Sequence, residues 1–261
     1  MFSRLARASF EKIELRAPKI VLRILANVFS GKKVSYSFYG EDLIIEEILN
    51  RIRFEINKEI PISYVDIGAW RPIKGSNTYK FYKSGLRGTA VEPNPHFRKL
   101  WRAIRPRDHF LEIACSNSVS AHLSIFHPSA ASNTLSEDFA KFISGTQNFR
   151  VSKRLNVSCM TLEQIILLHK SNHSDYFILD IDIEGLDEEI ITSYQFPYGY
   201  RPFIILVEDI LKPYESLTET HISSYLTSLN YKIVGRTALT SIFMDLEAEL
   251  LIESSQPNGI H

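Results

Sequence analysis

The stretch VDIGAWRPIKGSNTYKFYKSGLRGTAVEPNP, residues 65–95, decides the fold of this chain. It contains two short apolar runs that end in an acidic residue and a turn former: Asp66 and Gly68 end the first run, and Glu92 ends the second. The segment between them, residues 75–85, has the composition of a short helix. A strand, a helix and a strand in this space predict a parallel βαβ unit that puts both acids at neighbouring strand ends.

The rest of the chain continues the alternation of helices and strands. Helices are predicted over residues 40–56, 94–105, 161–170, 185–194 and 217–230, and strands over residues 109–116, 122–126, 154–160, 176–183 and 201–209. Asn94 can cap its helix, and Pro95 suits the first helical position. The alternation predicts a parallel sheet with helices on both faces, and a closing hairpin over residues 231–237 and 240–246 predicts an antiparallel edge.

The composition limits the classes of function. A length of 261 residues suits one large domain with short appendages, and a formal net charge of zero gives no support to a nucleic-acid partner. The two cysteines, Cys115 and Cys159, are too few for a disulfide framework and fit a reducing compartment, so a cytoplasmic location is expected. No apolar run is long enough to cross a bilayer.

The N-terminal residues 1–33 carry the one clear charge asymmetry, with eight basic residues against two acidic ones. We expect a basic helical arm over residues 1–34, with a helix over 19–31. Its basic face either lies solvated beside the core, which we favour, or contacts a partner or a membrane surface, which would make the protein membrane-peripheral. The last residues, 251–261, are expected to form a flexible tail.

The acidic strand ends indicate a nucleoside ligand. In an open α/β sheet, ligands bind outside the carboxyl ends of the strands, near the point where the strand order reverses. The carboxylate of Glu92 can accept two hydrogen bonds from ribose hydroxyls, and Gly68 lets a ligand approach the backbone. The glycine spacing of a dinucleotide site and the P-loop pattern are both missing. A ligand without a pyrophosphate fits better, and S-adenosylmethionine, with its cationic sulfonium, is such a ligand.

A third acidic strand end holds Asp180, Asp182 and Glu184, which would share one face if the strand continued that far. Carboxylates so close together need a cation, or one of them holds a proton. Either a carboxylate acts as a general base, with Asp182 ahead of Glu184, or a divalent metal binds Asp180 and Asp182. The acids at 187–189 are interpreted as a helical first turn that favours the helix dipole and needs no function.

Several segments, in this order, together resemble FkbM-type methyltransferases. They are VDIGAWRPIKGSNTYKFYKSGLRGTAVEPNPHFRKLW (65–101), PSAASNTLSED (128–138), VSCMTLEQIIL (157–167), LDIDIEGLDEEII (179–191) and YRPFIILVED (200–209). The resemblance implies a class I methyltransferase fold, which is Rossmann-like, over residues 35–250: a seven-stranded, mostly parallel sheet with an antiparallel C-terminal strand. It also implies S-adenosylmethionine as the methyl donor and a hydroxyl of a sugar, a surface glycan in polysaccharide biosynthesis, or a natural product as the acceptor.

The resemblance and the strand positions together give the candidate site residues. The expected cofactor contacts are Asp66, Gly68, Ala69, Ser76, Asn77, Thr78, Glu92, Pro93, Ser116, Asn117 and Asp180. The expected acceptor contacts are Asn133, Thr134 and Glu208, and the expected catalytic residues are Asp182 and Glu184. The chain departs from the family at Asp180, where members often carry Lys or Ser, and this changes the local charge.

Two other functions stay open. The segment DID at 180–182 has the D-x-D form that glycosyltransferases use to hold a metal and a nucleotide diphosphate, but it leaves Asp66, Gly68 and Glu92 unexplained. A methyltransferase-like domain could also serve as a non-catalytic binding module in an assembly for surface polysaccharides. An intact cofactor site argues against that second function.

Overall fold

The protein is described by a computed structural model that covers residues 33–56, 60–146, 149–173, 176–197, 199–210 and 220–247. The helix expected over residues 19–31 and the tail expected over 251–261 lie outside the described residues, so the arm and the tail stay predictions. All the strands and helices below belong to one compact unit, Ser35–His261.

Seven α-helices and ten strands are present in the described residues. The helices are α1 (Glu41–Ile56), α2 (Tyr79–Lys83), α3 (Arg98–Ile104), α4 (Glu137–Thr146), α5 (Leu162–Lys170), α6 (Asp187–Thr192) and α7 (His221–Ser228). The strands are β1 (Ile62–Ile67), β2 (Gly88–Val91), β3 (His109–Leu111), β4 (Ala114–Cys115), β5 (Ser120–Ile125), β6 (Lys153–Met160), β7 (Tyr176–Ile181), β8 (Ile204–Glu208), β9 (Tyr231–Arg236) and β10 (Thr240–Asp245). None of the helices described is long and apolar enough to span a membrane.

A seven-stranded sheet in the order β3-β2-β1-β7-β8-β10-β9 forms the centre of this unit. Strands β3, β2, β1, β7 and β8 are parallel, and β10 is antiparallel to both β8 and β9. The mostly parallel α/β sheet with an antiparallel C-terminal strand is therefore confirmed. The expected antiparallel edge is wrong, because β10 inserts between β8 and β9 and leaves β9, which runs with the parallel strands, at the edge.

The central strands are buried on both faces, which explains their nearly continuous apolar sequences. On one face, Val65 and Ile67 of β1 lie in a core with apolar side chains of α5, α6 and α7. On the other face, Tyr64 of β1 lies in a core with Ile45 of α1 and Phe81 of α2. Each fully buried aliphatic side chain of this kind contributes about 1.5–3 kcal/mol. Helices therefore cover both faces of the sheet, as predicted.

The strand predicted over residues 109–116 is divided between two sheets. Its first part, β3, pairs with β2, whereas its second part, β4, pairs with β6 in a small sheet of order β4-β6-β5. The chain leaves the central sheet at Glu112, whose carboxylate is paired with Arg98 of α3. This change of sheet carries Ala114 and Cys115 across the end of the central sheet.

Local capping is confirmed at the helix that follows β2. The side chain of Asn94 accepts a hydrogen bond from the backbone N–H of His96 at 3.1 Å, and Pro95 follows it directly. Residues Pro95–Phe97 form a 3₁₀ turn that leads into α3. A residue with this capping geometry fixes where the helix begins, and so it fixes the short turn that holds Glu92 at the end of β2.

Candidate functional site

A cavity of about 430 Å³, counting its open mouth, lies where the order of the sheet reverses between β1 and β7. Gly68, Glu92 and Asp182, which follow the carboxyl ends of β1, β2 and β7, all line it. The small sheet contributes Cys115 to the opposite wall. Ligands of open α/β sheets bind at such a reversal. The parallel register of Ile67 with Val91 explains why the first two of these residues meet.

Gly68 is required by the close approach of the strand ends. Its φ is +85°, and a Cβ atom there would lie 1.8 Å from the backbone oxygen of Asp182. The backbone N–H groups of Gly68 and Ala69 both donate to the Val91 carbonyl at 3.0 Å, and the Asp182 N–H donates to the Ile67 carbonyl at 3.0 Å. The space beside Gly68 is thus occupied by the protein itself, and the glycine joins three strand ends rather than only admitting a ligand.

Glu92 is fixed by the backbone around it. One carboxylate oxygen accepts the N–H of Trp70 at 2.9 Å and the other accepts the N–H of Asn94 at 2.7 Å. Burial raises the pKa of Glu92 to about 7, against the lowering effect of these two bonds. Each oxygen of a carboxylate can accept a second hydrogen bond. Glu92 therefore lines the cavity as an oriented acceptor with capacity for further donors.

Trp70 is a cavity residue that sequence reasoning missed. Its backbone is left-handed, with φ +39°, and is held by the bond to Glu92 and by Trp101 Nε1, which donates to its carbonyl at 2.8 Å. Its own Nε1 donates to the Ser129 carbonyl at 3.2 Å. Such a backbone costs about 1–3 kcal/mol in a non-glycine residue. An aromatic residue directly after D-x-G-A was the available signal.

Two carboxylates at the ends of β1 and β7 are buried and do not line the cavity. Asp66 and Asp180 are partners in the parallel register, so they point to the same face of the sheet. Asp66 accepts a hydrogen bond from the Thr78 hydroxyl, and Asp180 accepts one from Asn77 Nδ2 at 3.1 Å. Burial raises the pKa of both carboxyls. The segment Ser76–Thr78 therefore contacts these acids rather than the cavity.

A buried cation lies behind that segment. The guanidinium of Arg105 donates to Asp108, to Ser76 and to Thr78. Sequence reasoning missed Arg105, because it ends a predicted helix with several basic residues and no local feature distinguishes it from them.

Asp182 and Glu184 both line the cavity. Strand β7 ends at Ile181, so the face expected for three alternating acids does not continue past Asp182, and Glu184 lies in a left-handed turn with φ +55°. Burial, followed by the charge of Asp182, raises the pKa of Glu184 to about 8. The protein packed around the cavity also raises the pKa of the Asp182 carboxyl well above its usual range, although the side chain is open to solvent.

Three carboxylates form a cluster beside the cavity. Asp182, Asp187 and Glu208 each offer an oxygen within 4.8 Å of the others. Burial, then the charges of Asp187 and Glu184, raises the pKa of Glu208 to about 8. Asp180, the other acid expected to hold a metal, is not part of this cluster and contacts Asn77.

Asp187 does more than favour a helix dipole. It is buried, and its two oxygens accept the backbone N–H groups of Ile183 at 2.9 Å and Gly185 at 3.1 Å. It therefore holds the turn that carries Glu184, whereas Glu188 and Glu189 are exposed, as a helical first turn predicts. Asp187 was not distinguishable by sequence from Glu188 and Glu189, the two acidic residues that follow it.

The remaining expected contacts divide between the cavity wall and its support. Asn133 lines the cavity, and its amide is held by Phe126 N–H and the His127 carbonyl, both at 3.0 Å. Thr134 is buried and donates its hydroxyl to the Glu184 carbonyl at 2.7 Å. Among the expected cofactor contacts, Gly68, Glu92 and Pro93 line the cavity. Those that do not line it are Asp66, Ala69, Ser76, Asn77, Thr78, Ser116, Asn117 and Asp180.

Comparison with known proteins identifies the family. No curated protein and no solved structure matches the chain significantly. A model of the Methyltransferase FkbM domain matches residues 66–233, more than half of the chain. The match begins at Asp66 and contains every residue that lines the cavity. The chain therefore belongs to the FkbM methyltransferase family.

Proposed function

We propose that this protein is an S-adenosylmethionine-dependent O-methyltransferase with the class I methyltransferase fold. The observation that supports it most is the meeting of Gly68 and Glu92 in one cavity at the reversal of the sheet. Glu92 is held by two backbone N–H groups and keeps acceptor capacity for the two hydroxyls of a ribose. The parallel order β3-β2-β1-β7-β8, followed by an inserted antiparallel strand, supports the class I assignment.

The acidic groups that line the cavity fit this cofactor. Glu92, Asp182 and Glu184 line the cavity, and among the described residues that line it none is lysine or arginine. The carboxyl pKa values are raised there, so the ionised carboxylates lack a compensating charge. A sulfonium and an α-ammonium group supply positive charge, and they would favour the ionised carboxylates. Glu92 would hold the ribose, and the backbone at Gly68 would form the wall beside it.

The chain's own residues would position and deprotonate the acceptor. When bound, S-adenosylmethionine supplies a methyl group that its sulfonium has already activated. An alcohol is a poor nucleophile until its proton leaves, so a carboxylate base is needed within reach of the hydroxyl. Asp182 is the first candidate because it lines the cavity and is open to it, and Glu184 is the second. Asn133 and Glu208 are proposed to orient the acceptor.

A divalent metal is the alternative to a carboxylate base. Oxygen ligands from Asp182, Asp187 and Glu208 could lower the pKa of a bound hydroxyl and orient it. Methyl transfer that survives EDTA would remove this alternative. Transfer that survives Asp182→Asn would remove Asp182 as the base.

The acceptor class proposed is a hydroxyl of a sugar, a surface glycan or a natural product, as FkbM family membership suggests. A cytoplasmic reaction is proposed with it. A screen of mono- and oligosaccharides for transfer of a labelled methyl group tests the acceptor, and methylation of amines or carboxylates in place of hydroxyls would contradict it.

Titration calorimetry with S-adenosylhomocysteine tests the cofactor. The wild type is expected to bind it, and Glu92→Gln is expected to weaken binding by about a hundredfold, because an amide nitrogen cannot accept a backbone N–H or a ribose hydroxyl. Glu163→Gln, on the exposed face of α5, is the matched control and should bind as the wild type does. Binding of UDP-sugars with Mn²⁺ in place of S-adenosylhomocysteine would favour a glycosyltransferase, and binding of neither would favour a non-catalytic module.

A further inference from the structure

The guanidinium of Arg105 is buried, with only 1 % of the residue exposed, and all three of its nitrogens donate hydrogen bonds. Its Nε donates to Asp108 at 2.6 Å, Nη1 and Nη2 both donate to the Thr78 hydroxyl oxygen at 3.0 Å, and Nη1 also donates to Ser76 at 3.2 Å. Three aromatic rings surround it, with centroids within 5.3 Å of Cζ: Tyr64, Tyr82 and Trp101. A cation so placed has one orientation.

The Thr78 hydroxyl connects this cation to the end of β1. Because its oxygen accepts two N–H groups from Arg105, its single proton is directed to Asp66 Oδ2, to which it donates. The same side chain makes no capping hydrogen bond at the start of α2. Its position is therefore explained by the bond between Arg105 and Asp66 rather than by the helix that follows.

Acidic groups face Asp66 from several elements. Asp180 and Asp182 approach from β7 and its end, Glu92 from the end of β2, and Asp108 from the turn after α3. The charge of Glu41, at the start of α1, in turn contributes to the raised pKa of Asp180 and of Asp182. Burial raises the pKa of Asp66, and the Arg105 charge and the Thr78 hydrogen bond oppose that rise.

We infer that Arg105 is a positioning residue for the methyl-donor site, and that it acts through the Thr78 hydroxyl to hold Asp66 oriented behind Gly68 and to favour its ionised form. The inference rests on the proposed function, since it assigns the network to donor binding. An ionised Asp66 attracts a cationic donor, and a fixed Asp66 keeps the turn at Gly68 and Ala69 in place. Removing the hydroxyl takes from Asp66 the hydrogen bond that Thr78 donates and breaks its link to the guanidinium, which keeps its bonds to Asp108 and Ser76.

A purely structural role makes a different prediction. If the network only stabilised the fold, loss of the Thr78 hydroxyl would lower the melting temperature and leave the pH dependence of donor binding unchanged. Thr89 offers a matched control, because it is fully buried on the other face of the sheet and its hydroxyl is bonded to His169 Nδ1 at 3.0 Å. Thr89→Val removes a buried hydroxyl of the same kind away from Asp66.

The experiment measures binding of S-adenosylhomocysteine and of the cationic analogue sinefungin between pH 6 and 9. Thr78→Val is expected to weaken sinefungin binding about tenfold at neutral pH. It should also shift the midpoint of the pH dependence upward, because Asp66 loses a bond that favours its charged form. Thr78→Ser and Thr89→Val should follow the wild type. Wild-type affinity and pH dependence in Thr78→Val, or an equal loss in Thr89→Val, would overturn the inference.

A second measurement separates this inference from the proposed function. The Asp66 carboxyl can be titrated by ¹³C NMR in the ligand-free protein, where Thr78→Val should raise its pKa and Thr89→Val should not. If the wild type binds neither ligand, the proposed function fails, and with it the assignment of the network to donor binding. An unchanged Asp66 titration in Thr78→Val would refute the link from Arg105 through Thr78 whatever the ligand results.

Discussion

Two buried polar clusters contact β1, and they differ in how their charges are balanced. Near its start, Ser63 is bonded to His169 Nε2 at 2.8 Å, and the other ring nitrogen of His169 is bonded to Thr89 at 3.0 Å. Burial lowers the pKa of His169 to about 3, so this cluster is neutral at physiological pH. At its other end, the carboxylates of Asp66 and Asp180 share one face of the sheet.

Under the proposed function, the difference separates a structural cluster from one that supports the donor site. The histidine cluster pairs donors with acceptors and needs no further group, as buried polar groups in stable cores generally do. The carboxylate cluster has more acids than cations: the Arg105 charge opposes the rise at Asp66, but burial raises the pKa of both Asp66 and Asp180. Such an imbalance is expected where a cationic ligand completes the site. The two clusters should therefore respond in opposite ways to mutation and to pH.

The largest effect is expected from Gly68→Ala at the carboxylate end. The new Cβ would overlap the Asp182 carbonyl, and the backbone would keep a left-handed φ, so unfolding free energy should fall by about 4 kcal/mol. Urea denaturation measures this. Gly145→Ala in α4 is the control, since its Cβ meets open space and alanine favours a helix. Equal stabilities for Gly68→Ala and the wild type would mean that the strand ends are not joined as described.

His169→Ala should cost about 3 kcal/mol of unfolding free energy and leave the affinity for S-adenosylhomocysteine unchanged. The change empties the space of a buried ring and removes the partner of Thr89. His221→Ala, which alters an exposed histidine paired with Glu188, should cost under about 0.5 kcal/mol. A loss of ligand affinity in folded His169→Ala would break the distinction between the two clusters.

Acidification should destabilise the histidine end by about 2 kcal/mol between pH 7 and pH 5. Native His169 has a pKa of about 3 because of its burial, whereas an unfolded histidine titrates near 6.5, so the unfolded state binds more protons below that pH. The contribution of His169 to the unfolding free energy therefore falls as the pH falls. The buried carboxyls with raised pKa values act in the opposite direction, so the loss is measured by urea denaturation as a difference: the unfolding free energy of the wild type relative to His169→Gln should fall by about 2 kcal/mol from pH 7 to pH 5. An unchanged difference would contradict this origin.

Asp180→Asn should give the smallest change, a gain of about 1 kcal/mol at pH 9. Burial and the neighbouring Asp66 raise the pKa of Asp180, so the native state binds more protons and its stability falls as the pH rises. Removing the charge removes that loss, which begins near the unfolded-state pKa of 3.8, so thermal unfolding should show a larger gain at pH 9 than at pH 4. Asp138→Asn, at an exposed residue of α4, is the control. An equal gain at both pH values would exclude a titration effect.

The sequence predicted those features that depend on local chemistry. The apolar run before Asp66, the capping by Asn94 and the distance along the chain from Gly68 to Glu92 were sufficient to place two strand ends side by side. The division of the strand at residues 109–116 was not predictable in this way, because both halves are apolar and the turn between them depends on partners elsewhere. The positions of β9 and β10 in the sheet were likewise not predictable, because they depend on which of the two strands pairs with β8.

The site was predicted less completely than the fold, for the same physical reason. Glu92, Asp182 and Glu184 stand at strand ends, where the topology alone brings them to the cavity. Arg105 and Asp187 act through partners distant in sequence or through backbone amides, and neither relationship leaves a periodic pattern. Trp70 adopts a backbone conformation that its residue type does not favour, so its place directly after D-x-G-A was the one local signal, and its contacts establish its position.

The absence of a side chain at Gly68 has a consequence for how this scaffold can change. The ends of β1 and β7 touch through bare backbone, so neither can move outward without carrying the other. Enlarging the cavity for a bulkier acceptor must therefore come from the wall formed by the segment around Asn133, a segment that is bonded to Ser124 of β5 in the small sheet and to Phe126 and His127 just after it. Sequence changes that adapt the cavity to different acceptors should therefore accumulate on that wall, while the contact between the ends of β1 and β7 keeps its shape.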